Sequence, residues 1–297
     1  MSDHVLIATA ADGFVRALAA VTTDTVSEAQ RRHDSWPTAT AALGRTLTAG
    51  ALMGAMLKDK QRVTLRVLGD GPIGAIVVDA DHNGNVRGYV QEPHVHLAPN
   101  EAGKLDVAGA VGQGYLHVIK DLGLREPYQG SIPLVSGELA EDFTHYFAVS
   151  EQTPSAVALG VLVGTDNQVQ ASGGFLIQLL PGASEQIASA LERQLQGLPS
   201  VTEMISGHLD AEGILRRALS EMELRILETR PTRFSCSCNR KRLEGVLISL
   251  GSDELASMEE EQGGAELTCH FCRHVYQFSK EELQELRRQI SAKHAEQ

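Results

Sequence analysis

Along the first 181 residues, many apolar positions fall in short runs broken by Gly, Asp, Asn and Pro. That is the pattern of half-buried strands joined by turns. It predicts strands over 5–9, 14–22, 63–68, 73–80, 86–90, 114–120, 129–134, 157–163 and 168–179. Ala11-Asp12-Gly13, Gly69-Asp70-Gly71-Pro72 and Asp81-His82-Asn83-Gly84-Asn85 are turn signals of hairpin length, so antiparallel pairing is expected. Helices are expected over 24–33, 38–57 and 138–151, with Trp36-Pro37 separating the first two. The stretch 38–57 carries Ala41, Ala42, Gly44, Ala49, Gly50, Gly54 and Ala55. Small side chains let backbones approach closely, which predicts a buried central helix.

The period then changes. Ile187, Ala188, Leu191, Leu195 and Leu198 follow a helical stripe that Gly197 and Pro199 end. Ser200 and Glu203 form a capping-box pattern ahead of Met204, Ile205 and Leu209. A third stripe runs through Ile214, Leu215, Ala218, Leu219 and Met222. Helices this short are marginal in isolation and must dock to bury their apolar faces. The simplest reading is a further helical layer of the core. From Arg230 the character changes again. A basic run (Arg230, Arg233, Arg240, Lys241, Arg242) precedes an acidic stretch with no Lys or Arg from Leu243 to Thr268. Ser279 with Glu282 caps a last helix carrying Leu283, Leu286 and Ile290. The expected organisation is an α+β, antiparallel-sheet domain with a buried central helix over 1–181, an amphipathic helical linker over 182–229, and a small C-terminal cysteine domain over 230–297.

Composition narrows the function. With 297 residues, 42% of them hydrophobic, the chain can build a core without covalent staples. Lys and Arg number 26 against 38 Asp and Glu, a net charge of −12, and aromatic residues are 4%. Neither a field for phosphates nor stacking platforms for bases are provided, so no nucleic-acid partner is expected. The opening MSDHVLIATAADGF lacks a basic region and a long apolar run, so no signal peptide or membrane span is expected and a cytoplasmic location is.

All four cysteines fall in the last stretch, as Cys236-Ser237-Cys238 and Cys269-His270-Phe271-Cys272, with 30 residues between the pairs. In a reducing compartment, clustered cysteines point to metal or redox chemistry. Two close pairs on two loops can bring four sulfurs to one tetrahedral centre, the geometry Zn²⁺ prefers. Binding would deprotonate the thiols and fold the segment around the metal. Two readings follow, a purely structural zinc site and a redox switch. The switch is favoured by basic residues beside Cys236 and Cys238, which stabilise thiolates, and by each pair's capacity to close into a disulfide. A CxC ring is tighter than a CxxC ring, so Cys269–Cys272 is expected to oxidise more readily than Cys236–Cys238.

The cysteine pattern resembles that of the heat shock protein 33 family, and the likeness extends along the chain. It includes Gly71-Pro72-Ile73-Gly74 running into Asp79-Ala80, and Gly84-Asn85-Val86-Arg87-Gly88-Tyr89. It continues through Gly114-Tyr115-Leu116, Val118-Ile119-Lys120-Asp121, Tyr128-Gln129-Gly130, Tyr146-Phe147 and Ser150-Glu151-Gln152. The resemblance implies a cytoplasmic, ATP-independent holdase and not an enzyme. It implies one zinc per chain on Cys236, Cys238, Cys269 and Cys272 in a reduced, inactive form. Oxidation would form Cys236–Cys238 and Cys269–Cys272 disulfides, expel zinc, unfold the C-terminal domain and linker, and favour a homodimer that captures unfolding proteins. The client-binding surface would then be the uncovered stripes, with Ile187, Leu191, Leu195, Ile214, Leu215 and Met222.

Other motifs carry less. Gly69-Asp70-Gly71-Pro72-Ile73-Gly74 matches GxGxxG but runs into a strand, whereas a dinucleotide fingerprint opens a helix. No P-loop is present, so no nucleotide is expected. His94-Val95-His96 lacks a third ligand, and His270 is redundant beside four sulfurs. Two other classes compete, a CxxC oxidoreductase and a zinc-ribbon nucleic-acid module. The first lacks a βαβ context. The second conflicts with the acidic charge.

Overall fold

The computed structural model describes residues 2–295. Its packing divides the chain into two compact units, one ending at Ser235 and one beginning at Cys236. The first opens with β1 (His4–Ala10), β2 (Val15–Val21), α1 (Thr23–His33) and α2 (Pro37–Ala55). There follow β3 (Arg62–Gly69), β4 (Ala75–Asp81), β5 (Asn85–Val90), α3 (Val107–Val111), β6 (Gly114–Asp121) and β7 (Tyr128–Pro133). Then come α4 (Leu139–Val149), β8 (Ser155–Val163), β9 (Val169–Leu179), α5 (Glu185–Gln196), α6 (Val201–Ser206) and α7 (Ala211–Ala218). The unit closes with β10 (Leu224–Pro231) and β11 (Arg233–Phe234).

Among the described residues, the strands of this unit form a five-stranded sheet, β10-β1-β2-β9-β8, and a six-stranded sheet, β11-β5-β4-β3-β6-β7. Every pairing is antiparallel except the short β11–β5 bridge. Helix α2 packs against strands of both sheets. From Thr38 to Ala55 it is buried at every residue but Arg45, as an all-round core helix must be. Its small residues make this possible: a Cβ on Gly50 would sit 2.8 Å from Val78 Cγ1, and one on Gly54 2.8 Å from the Asp81 carbonyl. The Thr46 and Thr48 hydroxyls donate to the carbonyls one turn back, so the helix buries no unsatisfied hydroxyl there.

The other face of the five-stranded sheet is covered by α5, α6 and α7. Their stripes join Leu6, Ala8, Ala17, Ala19, Phe175 and Ile177 in a second apolar cluster. Each helix starts on a side-chain cap, from Ser184, Ser200 and Asp210, and the Ser200–Glu203 capping box is complete.

The second unit contains α8 (Arg240–Leu250), α9 (Ser252–Glu261), the hairpin β12 (Gly264–Thr268)–β13 (Val275–Ser279), and α10 (Lys280–Ala295). Its core is small, centred on Leu247, Leu255, Phe278, Leu283 and Leu286. Helix α10 begins at the expected box: the Ser279 N–H donates to Glu282 Oε2 at 2.8 Å, and the Glu282 N–H to Ser279 Oγ at 3.4 Å.

The α+β class, the antiparallel sheets and the central helix agree with expectation, but the chain from residue 219 to 261 does not follow the sequence reading. The third linker stripe is not one helix. Leu219 leaves helical geometry and Met222 lies in the turn beyond it. Residues 224–231 form β10, paired with β1 from Ala10↔Leu224 to His4↔Pro231 with a slip between Ile7 and Ala8. Most β10 side chains are exposed, so its ladder leaves little hydrophobic periodicity to read. Residues 230–235, expected in the C-terminal domain, therefore pack in the first unit. There the Thr232 N–H donates to the Asp3 carbonyl and the Arg233 and Ser235 N–H groups to the Gly84 and Val86 carbonyls. Helices α3, α8 and α9 and the β12–β13 hairpin were not anticipated. The GxGxxG segment is a loop between β3 and β4. Its Gly71 N–H donates to the Val111 carbonyl at 3.0 Å, and a Cβ there would lie 2.4 Å from the Ala110 carbonyl oxygen, so glycine serves close packing.

Candidate metal centre

The four cysteines stand on two loops of the second unit. Cys236 and Cys238 lie on the segment entering α8, whose cap is Asn239, accepting from the Arg242 N–H at 3.0 Å. Cys269 and Cys272 lie in the turn of the β12–β13 hairpin, whose ladder ends at Thr268↔Val275. Within that turn the Cys269 N–H donates to the His274 carbonyl at 3.0 Å and the Arg273 N–H to the Cys269 carbonyl at 2.8 Å. Arg273 adopts a left-handed backbone, φ 58°. Backbone N–H groups of Phe271 and Cys272 point at the Cys269 sulfur, and that of His274 at the Cys272 sulfur. Such donors favour thiolates.

All four Sγ atoms lie within 4.8 Å of one another. Between the loops, Cys238 and Cys272 are 3.4 Å apart and Cys236 and Cys269 3.8 Å. A tetrahedral centre with metal–sulfur bonds of about 2.3 Å has edges of about 3.8 Å. The donor set therefore fits a tetrahedral, thiolate-loving metal ion such as zinc. Burial pushes the Cys269 thiol up, and burial with hydrogen bonding to its sulfur neighbours pushes Cys272 up strongly. Tyr276 adds an outer contact, its hydroxyl 3.3 Å from Cys238 Sγ; that bond is the main cause of its rise to about 12. Tyr276 and the backbone of His274 escaped the sequence reading. The aromatic among the alternating residues after Cys272 was the available signal.

Three arginines of the basic run have partners away from the sulfurs. Arg240 lies 4.3 Å over the Phe278 ring and donates to the Gln277 carbonyl and Glu282. Arg230 is bound to Glu228 and to the Ala55 and His82 carbonyls, and Arg233 donates to Asn85. Their guanidinium groups are spent on structure. His270 is exposed and outside the sulfur cluster. His94 and His96 face separate partners, Asp34 at 3.4 Å and the Thr38 hydroxyl at 3.2 Å.

The expected client-binding residues come together in the first unit. Leu191, Ile214 and Leu215 are buried in the helical layer over the five-stranded sheet, and Ile187, Leu195 and Met222 pack at its margin. In this arrangement they face the sheet. No helix among the described residues is long and apolar enough to cross a membrane.

Comparison with known proteins agrees with this geometry. The model of the family described as Hsp33 protein matches residues 3–279. The chain is 54% identical over 293 residues to a 33 kDa chaperonin of Desulforamulus reducens, covering 99% of this chain and 100% of that one. It is 54% identical over 294 residues to one of a Geobacillus species, again across 99% and 100%. A crystal structure of the Thermotoga maritima 33 kDa chaperonin superposes with a TM-score of 0.92 at 39% identity, over 98% of this chain and 100% of that one. These relatives are named as chaperonins, a non-enzymatic class. With a family match over nearly the whole chain and four cysteines gathered for a metal, this protein belongs to the Hsp33 family of chaperones.

Proposed function

We propose that this chain is a redox-regulated, ATP-independent holdase of the bacterial cytoplasm. The carrying observation is the cluster of four sulfurs within 4.8 Å, built from two loops of a unit with a small core. Cys236, Cys238, Cys269 and Cys272 hold one Zn²⁺, whose charge keeps the thiolates ionised and ties the two loops together. Hydrogen peroxide, or hypochlorous acid, takes electrons from these sulfurs. Two thiolates and two protons reduce each H₂O₂ to two waters while one S–S bond forms, so two equivalents convert the set to Cys236–Cys238 and Cys269–Cys272. The donor set is then consumed and the metal leaves with it. The second unit loses its crosslink, and the helical layer α5–α7 lifts from the five-stranded sheet. Ile187, Leu191, Leu195, Ile214, Leu215 and Met222 become an apolar surface for unfolding proteins, and the oxidised form self-associates as a homodimer.

The test is zinc content, free thiols and suppression of client aggregation on the same reduced sample, before and after peroxide at elevated temperature. One zinc and four thiols lost together as suppression appears supports the proposal. Zinc retained under oxidant, or suppression indifferent to its loss, leaves a purely structural metal site.

A further inference from the structure

The Ser150-Glu151-Gln152 segment takes no part in the switch, yet it borders a cavity of about 470 Å³ in the first unit. The cavity opens where the polar ends of β2, β8 and β9 meet the turn leading into α5. Thr9, Arg16, Gln178 and Ser155 stand directly opposite one another across β1, β2, β9 and β8. Further along the same face, β2 and β9 carry Leu18 and Leu176 into the α2 core. A polar row in that position requires partners. Gln178 is 2% exposed, and its amide is pinned by a 3.0 Å hydrogen bond from Nε2 to Ser155 Oγ. Arg16 is half-buried on the cavity wall, and among the described residues no hydrogen bond or ion pair engages its guanidinium.

The charges lining the cavity are those of Arg16 and Glu151, and the Glu151 carboxylate is already bound by Lys120. Helix α2 ends on the same wall at Met56, but its Met53, Gly54 and Ala55 carbonyls accept from Met56, Leu57 and Arg230, which mutes the negative end of the helix. Arg16 is thus a cation awaiting an anion. One guanidinium matches one negative charge; a phosphate dianion would leave a charge unbalanced in a half-enclosed site. Met56, Leu179 and Pro181 give the cavity an apolar wall, beside the polar Thr153 and Gln178. Gln152 shapes the rim in a left-handed backbone, φ 52°, which a glutamine holds only at a cost.

We propose that this cavity binds a monocarboxylate carried on an apolar body, with the carboxylate on Arg16 in fork-to-fork geometry and the body against Met56, Leu179 and Pro181. Its volume suits a small organic ligand. The same chemistry is offered by a free aliphatic acid and by the C-terminal residue of a peptide.

The test uses the full-length, reduced, zinc-loaded protein, titrated with hexanoate and N-acetyl-leucine and with their neutral amides, following the backbone amides of Gln152, Thr153 and Gly182. Each acid is expected to bind at least about tenfold more tightly than its amide. Arg16→Gln should abolish that preference, and Arg16→Lys should keep part of it. A stronger response to N-acetyl-leucine assigns the site to peptide termini, and a stronger response to hexanoate to free acids. Equal affinity for acid and amide in the unaltered protein, or shifts confined to other residues, overturns the proposal without reliance on a variant. So does an Arg16→Gln protein of unchanged melting temperature that retains the preference.

Discussion

If the helical layer covers the client surface, weakening its contact with the sheet must activate the protein without any oxidant. Ile214 is the best lever: it is fully buried, on α7, which packs against β1 and β2. Ile214→Ala removes three carbons from a closed contact, and such truncations cost about 3 kcal/mol within a usual range of roughly 2–5. Placed entirely on the docked state of the layer, that shifts its opening equilibrium by roughly a hundredfold. Amide exchange of α5–α7 and β10 in the reduced, zinc-loaded variant should accelerate by that factor, while α2 and the six-stranded sheet stay protected. Suppression of client aggregation should appear in the same sample with four free thiols and full zinc. Ile76→Ala is the control: Ile76 is equally buried, but in the core of α2 and the six-stranded sheet, so it should lower the melting temperature without activating. Hundredfold faster exchange in α5–α7 with no gain in suppression would refute the assignment of the client surface. Unchanged exchange would refute the marginal docking from which the reasoning starts.

Four further outcomes are expected. Leu191→Asp with Leu195→Asp should weaken client capture by the oxidised protein and leave zinc stoichiometry at one, read by light scattering and metal analysis. Peptide mapping after peroxide should find Cys236–Cys238 and Cys269–Cys272, with the latter forming first; bridges joining the loops, whose sulfurs lie 3.4 and 3.8 Å apart, would contradict the switch scheme. Tyr276→Phe removes the hydroxyl from Cys238 and should lower zinc affinity by about tenfold in chelator competition, as loss of an outer contact typically does. The Glu203 carboxylate is held low by Ser200, so the α6 cap contributes at neutral pH and fades as pH falls below the usual glutamate range; Glu203→Gln should flatten that acid dependence of α6 amide exchange.

What could be read in advance followed from burial. Strands β3, β4 and β5 of the six-stranded sheet alternate because one face meets α2, and the alanines and glycines of α2 announce a helix pressed between sheets. The cysteine centre was legible because four thiols in two short spacings have few other uses in a reducing compartment. Elements held by backbone bonds or by local packing were not legible. Strand β10 exposes most of its side chains, so Arg225, Glu228 and Arg230 disguise a full ladder as a charged linker. Helices α8 and α9 bury few residues, Leu247 on one and Leu255 and Glu259 on the other, too sparse a stripe to count. Charge placement is hidden for a related reason: a sequence shows which charges neighbour Cys236, but not that Arg240 turns to Phe278 and Glu282.

The strand order has a consequence for synthesis. The six-stranded sheet is nearly contiguous in the chain, β3 to β7 spanning residues 62–133, with only the two-residue β11 arriving later. The five-stranded sheet joins strands from residues 4–21, 155–179 and 224–231, so its edge, β10 on β1, waits for the end of the first unit. On a growing chain, local pairings form before distant ones. The β3–β7 part of that sheet therefore matures first, and β1 keeps one edge unpaired until Pro231 has emerged. The first unit is completed only as Cys236 and Cys238 follow, and Cys269 and Cys272 come later still. A ribosome stalled between residues 180 and 223 would present an open strand edge and an uncovered apolar sheet face. Nascent chains of this chaperone are thus most in need of protection just before the segment that closes them is made.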